Sequence, residues 1–140
     1  MNFKPWSLVY ICGPISLPAT PEGRRANIAN AVKAALYLHE HEIATIVPHL
    51  TAIPEAGYPP APPGSEAYER ILQVDLSIIA RCQGLLRLPG KSAGGDREVK
   101  YAQAHNVYTF DSAEEVVSHY RAERRIHEAM LNRRYGVPKN

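Results

Sequence analysis

The chain reads as a single α/β domain, 1–140, built on a doubly wound, Rossmann- or flavodoxin-like sheet of about four to five mostly parallel strands. Three observations predict it. Short apolar runs at 7–12, 42–47, 85–88 and 107–110 alternate with longer stretches of helical period, giving β-α-β-α-β-α-β-α. The runs end at turn or cap residues: Gly13-Pro14, Pro48, Pro89-Gly90 and Asp111-Ser112. The first run, Ser7-Leu8-Val9-Tyr10-Ile11-Cys12, is nearly all apolar, as a strand covered on both faces must be.

Each element follows from local chemistry. After Gly13-Pro14, the loop Ile15 to Gly23 carries Pro18 and Pro21. A helix is then expected, with Ile28, Val32, Ala35, Leu36 and Leu38 on its apolar face. Glu42 to Val47 is the second strand, and strand–helix–strand implies a right-handed parallel crossover. Residues 51–64 hold Pro54, Pro59, Pro60, Pro62 and Pro63, which excludes both helix and central strand. A connection of that length is expected to act as a lid, with Tyr58 its foremost ligand contact.

Ser65 caps the next helix, with Glu66 and Glu69 in its first turns. That helix buries Ile71, Leu72, Leu76 and Ile79, with Asp75 beside the stripe. Leu85 to Leu88 is the third strand, followed by a helix from about Gly95 to His105 with Val99, Ala102 and Ala104 apolar. Val107 to Phe110 is the fourth strand. Asp111 or Ser112 caps a C-terminal helix over 113–134, with Val116, Val117, Tyr120, Ile126 and Met130 on one side and arginines on the other. Gly136 to Asn140 reads as a loose tail.

Composition narrows the function classes. With 45% hydrophobic and 21% charged residues, the chain is neither disordered nor of membrane type. A net charge of +2 is too small to argue for a nucleic-acid polymer as partner. The two cysteines, Cys12 and Cys82, form neither a metal-ligand spacing nor a disulfide framework, which suits a reducing cytoplasm. No metal or organic cofactor is expected. Residues 1–6 lack a signal-peptide core and no apolar run reaches membrane-spanning length, so no membrane partner is expected.

The stretch Leu88-Pro89-Gly90-Lys91-Ser92-Ala93-Gly94-Gly95-Asp96-Arg97-Glu98 concentrates the chemistry. Strand, glycine-rich turn and helix in that order aim backbone N–H groups at an anion. Gly90-Lys91-Ser92 is not a Walker A loop, because position 85 is Leu85 where the pattern needs glycine. Glu98, one turn into the helix, is expected to be kept ionised by the helix dipole and to act as nucleophile or base. In a doubly wound sheet, ligands bind at the carboxyl ends of the strands. That rule gathers Gly13, Pro14, Ile15 and Ser16 after the first strand, His49 after the second, and Ser92, Gly94 and Glu98 after the third.

Tyr10-Ile11-Cys12-Gly13-Pro14-Ile15-Ser16, the helical Asp75, and Leu88-Pro89-Gly90 followed by Ser92-x-Gly94-x-x-x-Glu98 together resemble the nucleoside 2-deoxyribosyltransferase superfamily. The Leu-Pro-Gly element resembles an uncharacterised branch of it common in phages and bacteria. The likeness runs from about Leu8 to Phe110, with Lys91 standing where that branch carries tryptophan. It implies that Glu98 attacks C1′ and forms a glycosyl ester, that Tyr10 and Gly13 line the sugar pocket, and that Asp75 orients the nucleophile or protonates the leaving base. Ser92 stands where transferases carry aspartate and nucleoside 5′-monophosphate N-glycosidases carry serine; an aspartate would repel a phosphate that a serine can bind.

The resemblance therefore implies an N-glycosidase acting on a (deoxy)ribonucleoside 5′-monophosphate, assembled as a homodimer or higher homo-oligomer. Base-exchanging transferase activity and a catalytically idle nucleotide-sensing module stay open as alternatives. A phosphoribohydrolase of the cytokinin-activating type lacks its paired glycines directly after Pro89.

Overall fold

In a computed structural model that describes residues 3, 7–15, 19–50, 57, 59 and 61–136, strand β1 (Leu8–Cys12) lies inside a four-stranded sheet. The others are β2 (Ala44–Ile46), β3 (Gly84–Arg87) and β4 (Tyr108–Phe110), in the order β2-β1-β3-β4. Every pair is parallel, with Val9 opposite Gly84 and Leu85 opposite Thr109. Helices α1 (Pro21–Glu40), α2 (Glu66–Ile79), α3 (Ala93–Ala104) and α4 (Ala113–Tyr135) cover it, and a short 3-10 turn, Pro48–Leu50, follows β2. This is the expected doubly wound α/β architecture.

Strand alternation sorts the core into two layers. Val9 and Ile11 pack toward α1 and α4, meeting Leu38, Val116, Ala31 and Ala35. Tyr10 and Cys12 point the other way and join Ile79 of α2, Ala102 of α3 and Leu85. Side-chain caps start the helices as their hydroxyls suggest: Thr20, Ser65, Ser92 and Ser112 each accept the backbone N–H three residues on.

Several expectations are corrected. Helix α1 begins at Pro21 because Thr20 caps it and proline suits the first turn, so it starts before Gly23. Leu36 is 56% exposed while Ala31 is fully buried. Two small residues, Ala31 and Ala35, let α1 lie close on the sheet. Helix α3 starts at Ala93, which moves Glu98 into its second turn, and Ala104 is exposed. In α4, Ile126 and Met130 lie outside the buried set of Val116, Val117 and Tyr120. Gly136 is an ordered left-handed cap (φ 61°) whose N–H donates to Asn132 O.

Most of the expected lid (51–56, 58 and 60), including Tyr58, lies outside the described residues, as does Ser16. Residues 61–64 form neither helix nor strand. Among the described residues, no helix is long and apolar enough to cross a membrane.

The reassigned face of α1 has a measurable consequence. Leu36→Gln should alter unfolding free energy by less than about 0.5 kcal/mol, whereas Ala31→Leu should cost about 1–3 kcal/mol by overpacking, both read from urea denaturation.

Candidate functional site

The loops after β1 and β3 meet at the carboxyl edge of the sheet, and their contact leaves no room for side chains. A Cβ on Gly13 would stand 2.8 Å from Leu88 Cβ. Gly90, at φ +115°, faces Pro14 so closely that a Cβ would come within 2.7 Å of its ring. Beneath this contact His49, fully buried, donates from Nε2 to the Pro14 carbonyl at 3.2 Å. Burial pushes its pKa down, with the Pro14 bond opposing, so the ring is neutral. His49 is absent from the cleft walls and acts from underneath, on the Pro14 loop.

Arg87, at the end of β3, organises the next turn. Its guanidinium donates to Leu88 O, to Gly90 O at 2.9 Å and to Asp96 Oδ1 at 3.1 Å. Its charge therefore closes the loop instead of facing a ligand. Ser92 accepts the Gly95 N–H at 3.0 Å and keeps its own hydroxyl proton available to donate. The first turn of α3 is closely packed at its glycines: a Cβ at 94 would lie 2.8 Å from the Tyr68 hydroxyl, and one at 95 would lie 3.0 Å from Ser92 Oγ and 3.1 Å from Arg87 Cζ, so these side-chain ends would have to shift.

Between these loops and α2 lies a cleft of about 200 Å³. Gly13, Pro14 and Ile15 form one wall, the Lys91–Gly95 turn a second, and Tyr68, Ile71, Leu72 and Asp75 of α2 a third, with Glu98 also lining it. Tyr68, Ile71, Leu72 and Asp75 follow i, i+3, i+4, i+7 spacing, one helix face. That spacing was the available signal for Tyr68 as a wall residue, and for Ile71 and Leu72 as more than core.

Glu98 is only 9% exposed, and its Oε2 finds no hydrogen-bond partner among the described residues. Burial raises its pKa to about 7, Asp75 pushes the same way, and Tyr10 and Arg87 oppose. Asp75 is raised to about 6, again by burial first. The expectation that the helix dipole keeps Glu98 ionised is thus overturned: from the second turn the dipole is weak, and desolvation outweighs it.

Tyr10 lies behind both acids, with no exposed surface. Its hydroxyl is near enough to favour the ionised form of each, yet it forms no hydrogen bond of good geometry. Burial, then the charges of Glu98 and Asp75, hold the phenol far above its ordinary pKa, so it stays a donor. Cys12 completes the neighbourhood, Sγ 3.9 Å from Gly95 O; burial, then Glu98, raise its thiol and leave it unreactive. Among the described residues no group of three or more His, Cys, Asp or Glu is gathered as a metal site requires.

A second hollow, of about 270 Å³, opens at the opposite edge between α1 and α4. Its Arg124 is paired with Glu42 at 3.1 Å, and it contains no buried carboxylate. Asp75 and Glu98 both line the first cleft. Compared with known proteins, the chain matches no family model and no curated protein.

An unpaired buried acid costs stability when it ionises. Glu98 titrates near 4.5 unfolded and near 7 folded, so the native state holds the extra proton between those values. Native stability is therefore greatest below about pH 4.5 with respect to this group and is lost as pH rises toward 7. Glu98→Gln removes that loss: at pH 8 the variant should be more stable by about 1–3 kcal/mol, a gain that shrinks at pH 5, in urea titrations at both values.

Proposed function

We propose that this cleft hydrolyses the N-glycosidic bond of a ribo- or deoxyribonucleoside 5′-monophosphate. The observation that carries the reading is the meeting of two carboxyl groups, Glu98 and Asp75, around the Tyr10 hydroxyl in a cleft bounded by a glycine-rich helix start. The resemblance of the Tyr10–Ser16 and Leu88–Glu98 motifs to nucleoside 2-deoxyribosyltransferases supports the same chemistry.

A Glu98 carboxylate oxygen attacks C1′, the C1′–N bond breaks, and its electron pair leaves with the base, which takes a proton from Asp75. Water then attacks C1′ of the glycosyl ester, giving its proton to Asp75 and releasing sugar phosphate and the Glu98 carboxylate. Tyr10 donates toward the carboxylates and stabilises the charge that returns at each turnover. The Ser92 hydroxyl, the Ala93 and Gly94 amides without intrahelical acceptors, and Lys91 receive the phosphate. Ile71, Leu72 and Tyr68 supply an apolar wall for the sugar and base.

The protein and Glu98→Gln are to be incubated with a panel of ribo- and deoxyribonucleoside 5′-monophosphates and assayed for free base by chromatography. The native chain should release base, and the variant should lose at least about 10³-fold in kcat/KM. Release only when an acceptor base is added would make the protein a transferase. Binding without release by either protein would make it a sensing module.

The pair of acids sets the pH dependence. The working form carries one proton; that proton rests mainly on Glu98, the weaker acid, and the reactive arrangement with Glu98 ionised and Asp75 protonated is the minor one, so kcat/KM should be bell-shaped with its maximum between about 6 and about 7. A profile still rising at pH 8 would exclude the acid role of Asp75. Ser92→Asp should lower kcat/KM for the monophosphate by about 10-fold or more and leave the parent nucleoside less affected, in the same base-release assay.

A further inference from the structure

The hollow between α1 and α4 is built beside a residue that its backbone disfavours. Glu42 follows the C-cap of α1 at φ 60°, in the left-handed region. There its N–H donates to His39 O and that of Ile43 to Leu38 O, both at 3.0 Å. Helices commonly close this way on glycine, and α3 closes on Asn106, at φ 59°. A glutamate gains nothing from such a backbone. What it brings is a side chain, which pairs with Arg124 Nη2 at 3.1 Å.

That pair satisfies one acid and one cation of the hollow and leaves another of each. Arg121 stands one turn before Arg124 on α4, and Glu40 stands two residues before Glu42 at the end of α1. Among the described residues neither the Arg121 nor the Glu40 side chain has an ion pair or a hydrogen bond. The end of α1 thus supplies acids and α4 supplies cations to a space of about 270 Å³, and the second set of opposite charges does not meet. The floor is apolar: Ile43, Val117 and Tyr120 are 2%, 6% and 6% exposed. His41 also lines the hollow, with its ring edge-on to that of Tyr37 at 4.9 Å between centroids.

This lining selects by charge. A polyanion would meet Glu40 and Glu42, and a bare cation would meet Arg121 and Arg124. The two acids and His41 are not gathered as a metal ion requires. We propose that the hollow is a second small-molecule site, for a zwitterion of amino-acid size. Its carboxylate lies on the Arg121 guanidinium, its ammonium on the Glu40 carboxylate, and its carbon chain on the apolar floor. The hollow shares no lining residue with the Glu98 cleft, so this inference stands independently of the proposed reaction.

Isothermal titration calorimetry of the full chain tests it, with circular dichroism confirming that each variant is folded. The probes are two isomers, L-norvaline and 5-aminopentanoate, and two molecules that carry only one of the charges, pentanoate and pentylamine. At least one isomer should bind with a Kd of about 1 mM or below, and the singly charged probes at least about 10-fold more weakly. Arg121→Gln and Glu40→Gln should each weaken binding of that isomer at least about 10-fold. Glu40→Arg together with Arg121→Glu should restore it, because a zwitterion can enter reversed, whereas either reversal alone should not. Neither isomer binding up to about 20 mM overturns the inference. So does pentanoate or pentylamine binding as tightly as the isomers, a Kd indifferent to Arg121→Gln, or a double reversal no better than the single ones.

Discussion

The close approach of the two loops at the carboxyl edge of the sheet is the constraint on which the site depends. Gly13 against Leu88 and Pro14 against Gly90 are contacts that permit no side chain on either glycine. They fix the wall formed by residues 13–15 relative to the Lys91–Gly95 turn without involving any cleft-facing functional group. His49 supports the contact from below through the Pro14 carbonyl, and Arg87 supports it from the side through the carbonyls of Leu88 and Gly90. Two donors, the neutral His49 ring and the Arg87 guanidinium, are thus engaged with backbone. Among the described residues, the cation that lines the cleft is Lys91.

Against that rigid frame stands a carboxyl group held where its charge is least welcome. Glu98 enters the α2/α3 layer from the second turn of α3, and Asp75 enters it from α2. Neither acid has an ion-pair partner among the described residues, whereas Glu69 and Arg97 on the same two helices pair at 2.8 Å in solvent. The fold ties α2 to α3 with the exposed pair and leaves the buried acids uncompensated. Such an arrangement opposes stability, and it places two titrations near neutrality next to a protonated phenol.

Much of the architecture was legible because it is written locally. Proline and glycine end the strands, and Ser65 and Ser112 each precede a helix by one residue and cap it, whereas the same role of Ser92 was missed. Errors arose where the deciding partner is distant in sequence. Leu36 and Ala31 both fit a helical period; which of them is buried depends on how closely α1 can approach Ile11. The ionisation of Glu98 turns on burial, and on Tyr10 and Asp75, which lie far from it in sequence. The loop-closing role of Arg87 left no signal, because two of its acceptors are carbonyls, and carbonyls leave no trace in a sequence. The reading of Ile126 and Met130 as core assumed that all of α4 rests on the sheet, and half of it does not.

The layer that holds the acids also holds both thiols. Cys12 and Cys82 belong to the same buried cluster as Tyr10, Ile79 and Ala102, and both are free. Cys12, 1% exposed, is closed to a thiol reagent while the helices lie on the sheet. Alkylation of Cys12 therefore acts as a clock for the opening of this layer, since the opposite layer under α1 and α4 contains no cysteine among its buried residues. The half of the molecule proposed to do chemistry thus carries its own built-in report of how often it breathes.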